Sequence, residues 1–346
     1  MTKFKAENLL AVIAGGSRGL GKSLAIELAK RGAHVLLLAR GKDTLESAKE
    51  EVSAHRKSST QVVDTIAADL TDPVAVGIRG VNQVFQLKTS YLHIVTYYQV
   101  KKALNEYGTV PDLVFCVAGG SNPSQIGFLA ELGPKGLTSC LESNYYSAVF
   151  ITQVCLQMWI QNPQPKRTRH VVFVASSAAF VGLPGYIAYT PPKAAVRAFA
   201  DTLRQEILLY GGKDMYQVHA AYPGTFITES FLAEQTTKPE LTKMMEGSNF
   251  SDSEIIAKTQ TSLTIAKKIL LGLDRGHFSI TSDWESALIL NNMRGPSPRD
   301  NVILDLLLAL AVFLVWPFVR RDFDRKTRKY GREHHGPLNS GPFSEV

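Results

Sequence analysis

Tyr189 and Lys193 stand four positions apart in Tyr189-Thr-Pro-Pro-Lys193, a spacing that puts a phenol and an ammonium on one face of a helix. Two prolines are tolerated in a helix's first turn, so a helix is expected to begin here. A free tyrosine titrates near ~10 and is a sluggish acid–base at neutral pH. An adjacent cation favours phenolate, so Lys193 is expected to bring Tyr189 toward the working range. The pair suits proton transfer at an oxygen. A second chemistry-bearing stretch is Gly15-Gly16-Ser17-Arg18-Gly19-Leu20-Gly21, placed between an apolar run and a helical one. Its glycines allow a sharp turn and close backbone approach to a pyrophosphate at a helix N-terminus. Arg40 ends the next apolar run, 19 positions beyond Gly21. A carboxylate there would bind a ribose 2′-hydroxyl, whereas arginine favours a 2′-phosphate, and Arg18 offers a second cation. Against two merely solvated arginines, the pair predicts NADPH.

These residues need a scaffold, and the apolar runs supply one. Leu9–Ala14, Val35–Ala39, Val62–Ala67, Leu113–Ala118, Val171–Ala175 and Tyr216–Tyr222 read as buried strands. Segments of helical spacing, such as Gly21–Lys30 and Leu45–His55, separate them. The alternation predicts an α/β fold: a doubly wound parallel sheet, Rossmann-like and a single domain, plus a C-terminal apolar helix. Ser251-Asp-Ser-Glu254 is a capping-box pattern, predicting a helix from Ile255 to about Leu273. Between Pro223 and Phe250 the apolar positions fit either two core-packed helices or an apolar lid over a greasy substrate.

The chain has 346 residues, 45% of them hydrophobic, with 38 Lys and Arg against 31 Asp and Glu. A domain of this composition is neither disordered nor disulfide-stapled. Cys116, Cys140 and Cys155 are odd in number and lack CxxC spacing, and the histidines show no ligand pattern, so no metal is expected. The net charge of +7 does not predict nucleic-acid binding, because +4 of it lies in one short tail, Arg320–His335. That tail follows the most apolar stretch of the chain, Val302–Val319, which points to membrane lipid instead.

The GxxxGxG spacing, together with Tyr189 and Lys193, resembles the short-chain dehydrogenase/reductase family. The resemblance implies that Ser176 (or its neighbour Ser177) orients a substrate carbonyl and that Asn144 connects a lysine–water relay to solvent. It implies a catalytic set of Ser176, Tyr189, Lys193 and Asn144. Cofactor contacts are implied at Gly15, Ser17, Arg18, Gly19, Gly21, Arg40, Asp69, Leu70, Gly119, Tyr189, Lys193 and Thr228. Cys116-Val-Ala-Gly119 stands where the family usually has Asn-Asn-Ala-Gly, and Ala14 replaces a common threonine. Residues 170–210, CVAGG at 116–120 and AAYPGTFITESF at 220–231 resemble, within the family, the fungal reductases of long-chain 3-keto bases. This implies NADPH-dependent reduction of such a base to sphinganine at the endoplasmic reticulum membrane, with the active site facing the cytosol. Family members often form dimers or tetramers, which implies a homo-oligomer. The rival readings are a reductase of another lipophilic ketone (steroid, retinoid or acyl) and a silent NADP-binding membrane scaffold.

The expected organisation is a catalytic domain over 1–285, an apolar membrane-associated segment over 286–319 and a basic tail over 320–346. As a helix, Val302–Val319 would be ~27 Å long against a bilayer core of ~30 Å. A single crossing with the basic tail in the cytosol would place the enzyme in the lumen. The segment is therefore expected to lie in one leaflet or between subunits. Lastly, 44 positions separate Asp69 from Leu113, and removing Val81–Gln99 leaves a smooth helical sequence. Valine codons begin GT and a glutamine codon can be CAG, so this block reads as a retained in-frame intron, a genuine insertion or a partner-binding loop.

Overall fold

The computed structural model describes residues 4–68, 101–102, 104–106, 108–164 and 167–334. Asp69, Leu70 and the block Val81–Gln99 lie outside the described residues. β1 (Leu10–Ala14) is buried at every position, as an apolar run must be when helices cover both faces of a sheet. The chain continues through α1 (Gly19–Lys30), β2 (His34–Ala39), α2 (Lys42–Ser53), β3 (Val63–Ala67), β4 (Leu113–Cys116), α3 (Pro134–Leu141) and α4 (Ser147–Gln161). Then come β5 (Arg169–Val174), α5 (Thr190–Glu206), β6 (Tyr216–Tyr222), β7 (Phe226–Ile227), α6 (Glu229–Gln235), α7 (Glu240–Glu246) and α8 (Asp252–Lys258). The last elements are β8 (Gln260–Thr261), α9 (Ser262–Asp274), β9 (Ser279–Thr281), α10 (Trp284–Met293) and α11 (Val302–His334).

The main sheet has seven strands in the order β3-β2-β1-β4-β5-β6-β9, every pair parallel. One apolar layer gathers Leu24, Leu28, Val52, Phe115 and Ile269; the other gathers Val12, Ile151, Trp159, Phe173 and Leu203. The sheet is thus doubly wound, as the alternating runs predict. Its order reverses between β1 and β4, and a crevice opens there beyond the carboxyl ends of the strands. At the opposite end, the buried Asp112 accepts from the Leu10 amide (3.0 Å) and from Arg167 (3.1 Å), fixing β1 beside β4.

Three local readings change. The helix expected from Ile255 to Leu273 is two helices, α8 and α9. Gln260 and Thr261 instead pair with Phe226 and Ile227, and the Thr261 hydroxyl restarts the helix by accepting from Thr264 N (3.2 Å). The capping box at Ser251 and Glu254 is present as expected. The edge strand β9 is a further addition, too short and too polar to register as a run. In the third change, the basic residues after Val319 continue the apolar helix rather than trailing from it.

Candidate active site

Every element of the crevice delivers backbone or side chain at a strand's carboxyl end. After β1 the chain turns at Gly15, whose amide donates to Leu38 O (2.8 Å) and whose φ is +88°. A Cβ at Gly15 would lie 2.6 Å from Ala118 N, and one at Gly21 would lie 2.0 Å from Gly15 O. No side chain larger than hydrogen fits either place, so the turn presents bare backbone. α1 begins without a side-chain cap and without an acidic residue in its first turn, which leaves its amide donors facing the crevice. Arg18 and Arg40 line the wall and are exposed; among the described residues neither forms an ion pair. Ser17, Gly19, Gly119 and Thr228 line the same cleft, whose volume is about 1110 Å³. This glycine cradle and open helix end fit the pyrophosphate of a dinucleotide, with the two cations beside it.

The far end of the cleft holds Ser176, Tyr189 and Lys193. β5 ends just before Ser176, which opens a short helical turn by accepting from Ala178 N (3.1 Å). Tyr189 is the residue preceding α5, and Lys193 lies one turn on, as the spacing predicts. The Lys193 ammonium is buried, donates to Val174 O (3.1 Å) and sits 5.6 Å from the Tyr189 ring centroid. Burial brings its pKa down to about 8, with the Cys140 thiol opposing the shift. Tyr189 departs from the sequence-based expectation. Burial pushes its phenol well above the usual value, the Ser176 hydroxyl offsets part of this, and Glu234, Cys140 and Glu246 add to the rise. Lys193 does not reverse the shift because its ammonium is bonded to the β5 carbonyl rather than to the phenol. Both candidate serines line the cleft; the Ser176 hydroxyl is the one that lowers the Tyr189 phenol's shift, and the Ser177 amide is bonded to Pro223 O (2.9 Å).

Asn144 lies in a π-helical turn, Glu142–Tyr146, a geometry that recurs at functional sites. Its carboxamide accepts from Gly120 N (2.8 Å) and donates to Gly120 O (2.8 Å) and Cys140 O (2.9 Å). It therefore braces the Gly119–Gly120 loop at the end of β4. The missing asparagine at 116 is replaced by a buried thiol, 3.5 Å from Thr152 Oγ1.

A group of residues that sequence reasoning does not pick out completes the pocket. Lys238, fully buried, bridges Glu234 Oε1 and Glu246 Oε2, each at 2.6 Å. The Tyr186 hydroxyl lies 3.0 Å from both carboxylates, and Ser121 donates to Glu234. The Tyr186 ring is 5.7 Å from that of Tyr189. These residues tie α6 and α7 onto the catalytic end, so the segment after Pro223 is a pair of packed helices that also walls the cleft.

Residues 9–239 match the short chain dehydrogenase family. The chain belongs to that family. Its members are oxidoreductases that use a nicotinamide dinucleotide, in keeping with the cradle above. The PIGF/3-ketodihydrosphingosine reductase fusion protein of Schizosaccharomyces pombe is 33% identical over 330 residues, covering 95% of this chain and 59% of the fusion. A 3-ketodihydrosphingosine reductase of Aspergillus fumigatus is 31% identical over 353 residues, covering 96% of this chain and 88% of its own. The mouse 3-ketodihydrosphingosine reductase is 28% identical over 328 residues, covering 92% and 87%. Among solved structures, a short-chain dehydrogenase/reductase from Burkholderia phymatum in complex with NAD superposes with a TM-score of 0.63 at 16% identity, over 86% of this chain and 99% of that one. A short-chain dehydrogenase from Sphingobium yanoikuyae in complex with NADPH gives 0.62 at 19% identity, over 83% and 92%.

Proposed function

We propose that this protein reduces the ketone of a long-chain 3-keto sphingoid base, 3-ketodihydrosphingosine, to sphinganine with NADPH, at the endoplasmic reticulum membrane and on its cytosolic side. The cofactor, when bound along the glycine cradle, supplies a hydride to the carbonyl carbon. Tyr189 gives its proton to the carbonyl oxygen, so the ketone becomes an alcohol. The phenol is protonated at neutral pH, the form a proton donor needs, and burial only moves its titration further up. Ser176 donates a hydrogen bond to the same oxygen and orients it. Lys193 places a positive charge beneath the phenol, and Asn144 holds the Gly119–Gly120 loop in line with it.

The observation that carries the substrate class is the wall beside Tyr189. Two carboxylates, Glu234 and Glu246, line the cleft there and share Lys238, so this wall carries one negative charge net, balanced by the single Lys193 ammonium beside the Tyr189 ring. A 3-keto sphingoid base carries an ammonium next to its ketone, whereas a steroid, retinoid or acyl ketone does not. The similarity to 3-ketodihydrosphingosine reductases over nearly the whole chain supports the same reading. Purified protein is expected to oxidise NADPH with 3-ketodihydrosphingosine and to use its deaminated analogue at least about tenfold less well, the scale of one lost charged hydrogen bond. Glu234→Gln is expected to erase most of that preference. Equal turnover of the two ketones would defeat the assignment.

The cofactor assignment has its own check. Arg40→Asp is expected to raise KM for NADPH by about tenfold or more and to leave KM for NADH unchanged or lower, because one charged contact is worth about 1.5–3 kcal/mol. An unchanged NADPH-to-NADH ratio would show that Arg40 does not read the 2′-phosphate.

A further inference from the structure

α11 has 33 residues, about 50 Å of helix, and is long and apolar enough to cross a membrane. Its packing argues for a different arrangement. Asp305 and Val312 are buried, and Trp316, Val319, Phe323 and Tyr330 are half-buried. The spacing is three, four or seven throughout, so a single seam runs the length of the helix along the catalytic domain. At its start, Asp305 pairs with the buried Arg294 at 3.1 Å. Near its end, Phe323 lines the catalytic cleft and the Tyr330 ring lies 6.0 Å from that of Phe128. Both ends of the helix therefore touch the same domain. A bilayer crossing would strip one set of these contacts.

The outward face changes character along its length. Ile303, Leu306, Leu307, Leu310, Phe313 and Phe318 are each more than half exposed. Beyond them the exposed positions turn basic, including Arg321, Arg325, Arg328 and Arg332, and this half of the helix carries net positive charge. An apolar strip continuous with a cationic one matches a lipid leaflet with anionic headgroups. We propose that α11 is an in-plane anchor, its outward apolar strip sunk into one leaflet of an anionic membrane and its basic half on the headgroups, with both ends on the domain's side. Trp284, Met245 and Phe323 line the cleft beside the helix, and Trp284 is largely exposed. The anchor therefore holds the cleft mouth at the lipid surface. That last step rests on the lipid-ketone reading, while the anchor itself does not.

The test uses the full chain translated with sealed microsomes, carrying an epitope before Met1 and a second epitope with a glycosylation acceptor after Val346. The expected result is membrane cofractionation, digestion of both epitopes to the same extent by added protease, and no glycosylation. A protected or glycosylated C-terminus would overturn the proposal in favour of a crossing, and a chain that stays in the supernatant would overturn membrane attachment altogether. Leu310→Glu combined with Phe313→Glu is expected to reduce the membrane-bound fraction severalfold and to leave turnover of detergent-dispersed ketone within twofold. Membrane binding unchanged, with the solution mass of the doubly substituted protein halved, would assign the apolar strip to a second copy of the chain and overturn the proposal. In vesicle flotation, binding is expected to fall when phosphatidylserine is replaced by phosphatidylcholine; equal binding would remove the role of the basic half. Failure to turn over the keto base with both epitopes exposed would overturn the substrate reading and leave the anchor standing.

Discussion

Replacing Tyr189 with phenylalanine is expected to lower kcat for ketone reduction by about 10²–10⁴-fold, the range of a lost general acid, while NADPH affinity stays within about twofold. The substitution removes one oxygen and keeps the ring, so packing against the Tyr186 ring at 5.7 Å is preserved. The loss belongs in kcat because, in the reaction proposed above, the phenol acts at the carbonyl oxygen. The wall formed by Glu234, Lys238 and Glu246 keeps its own hydrogen bonds to Tyr186, Ser121 and Thr225. Steady-state kinetics with separate titration of NADPH fluorescence checks both halves. A fall in NADPH affinity that accounts for the whole loss would place Tyr189 in binding rather than proton transfer. In the same assay Ser176→Ala is expected to cost at least about tenfold and Ser177→Ala little, since a well-placed hydrogen bond to a developing charge is worth roughly 1.5–3 kcal/mol. The reverse order would move the carbonyl-orienting role by one residue.

The parts of this site legible in the sequence are those fixed by short-range geometry. Gly15 and Gly21 are readable because backbone lies 2.0–2.6 Å from where their Cβ atoms would be, a constraint that shows as residue type. Tyr189 and Lys193 are readable because one helical turn fixes their relation, whatever the rest of the chain does. The wall behind Tyr189 was hidden for the same reason inverted. Glu234 and Lys238 stand four apart in the sequence, the spacing of an ordinary solvated pair on a helix surface. Only the fold brings Glu246, half-buried on the next helix, to the same ammonium and buries Glu234 and Lys238 beside Tyr186. The direction of the Tyr189 shift was likewise beyond reach, because spacing places Lys193 on the right face but does not say that its ammonium bonds to Val174 O. α11 shows a third kind of failure. Its first half is apolar on every side, so the seam at Asp305, Val312 and Trp316 has no contrast, and it emerges only where Phe323 and Tyr330 stand among charges.

Lys193 offers a prediction in which activity and stability part company. Its ammonium is buried, and burial lowers its pKa from 10.5 to about 8. Protonation is complete well below pH 8 and falls tenfold for each pH unit above it. If the charge beneath Tyr189 is what the reaction uses, kcat should decline with unit slope above about pH 8. Lys193→Met should lose that limb and run at least about 10²-fold slower at neutral pH. The stability sign is opposite to that of a salt-bridged lysine. With the folded pKa below the unfolded one, the unfolded chain binds more protons between about pH 8 and 10.5, so stability rises with pH across that window. At neutral pH the charged form is therefore disfavoured in the fold by on the order of 3 kcal/mol. Methionine removes that cost and keeps the aliphatic stem, but it leaves Val174 O without its 3.1 Å donor, worth about 1–3 kcal/mol in the other direction. The two nearly cancel, so Tm is expected to move by less than about 5 °C while turnover collapses. A large drop in Tm in parallel with activity would make Lys193 a structural pin, and a flat pH profile in the native protein would remove its charge from the mechanism. A stable, inactive Lys193→Met protein that has lost the alkaline limb is the combination only a functional ammonium produces.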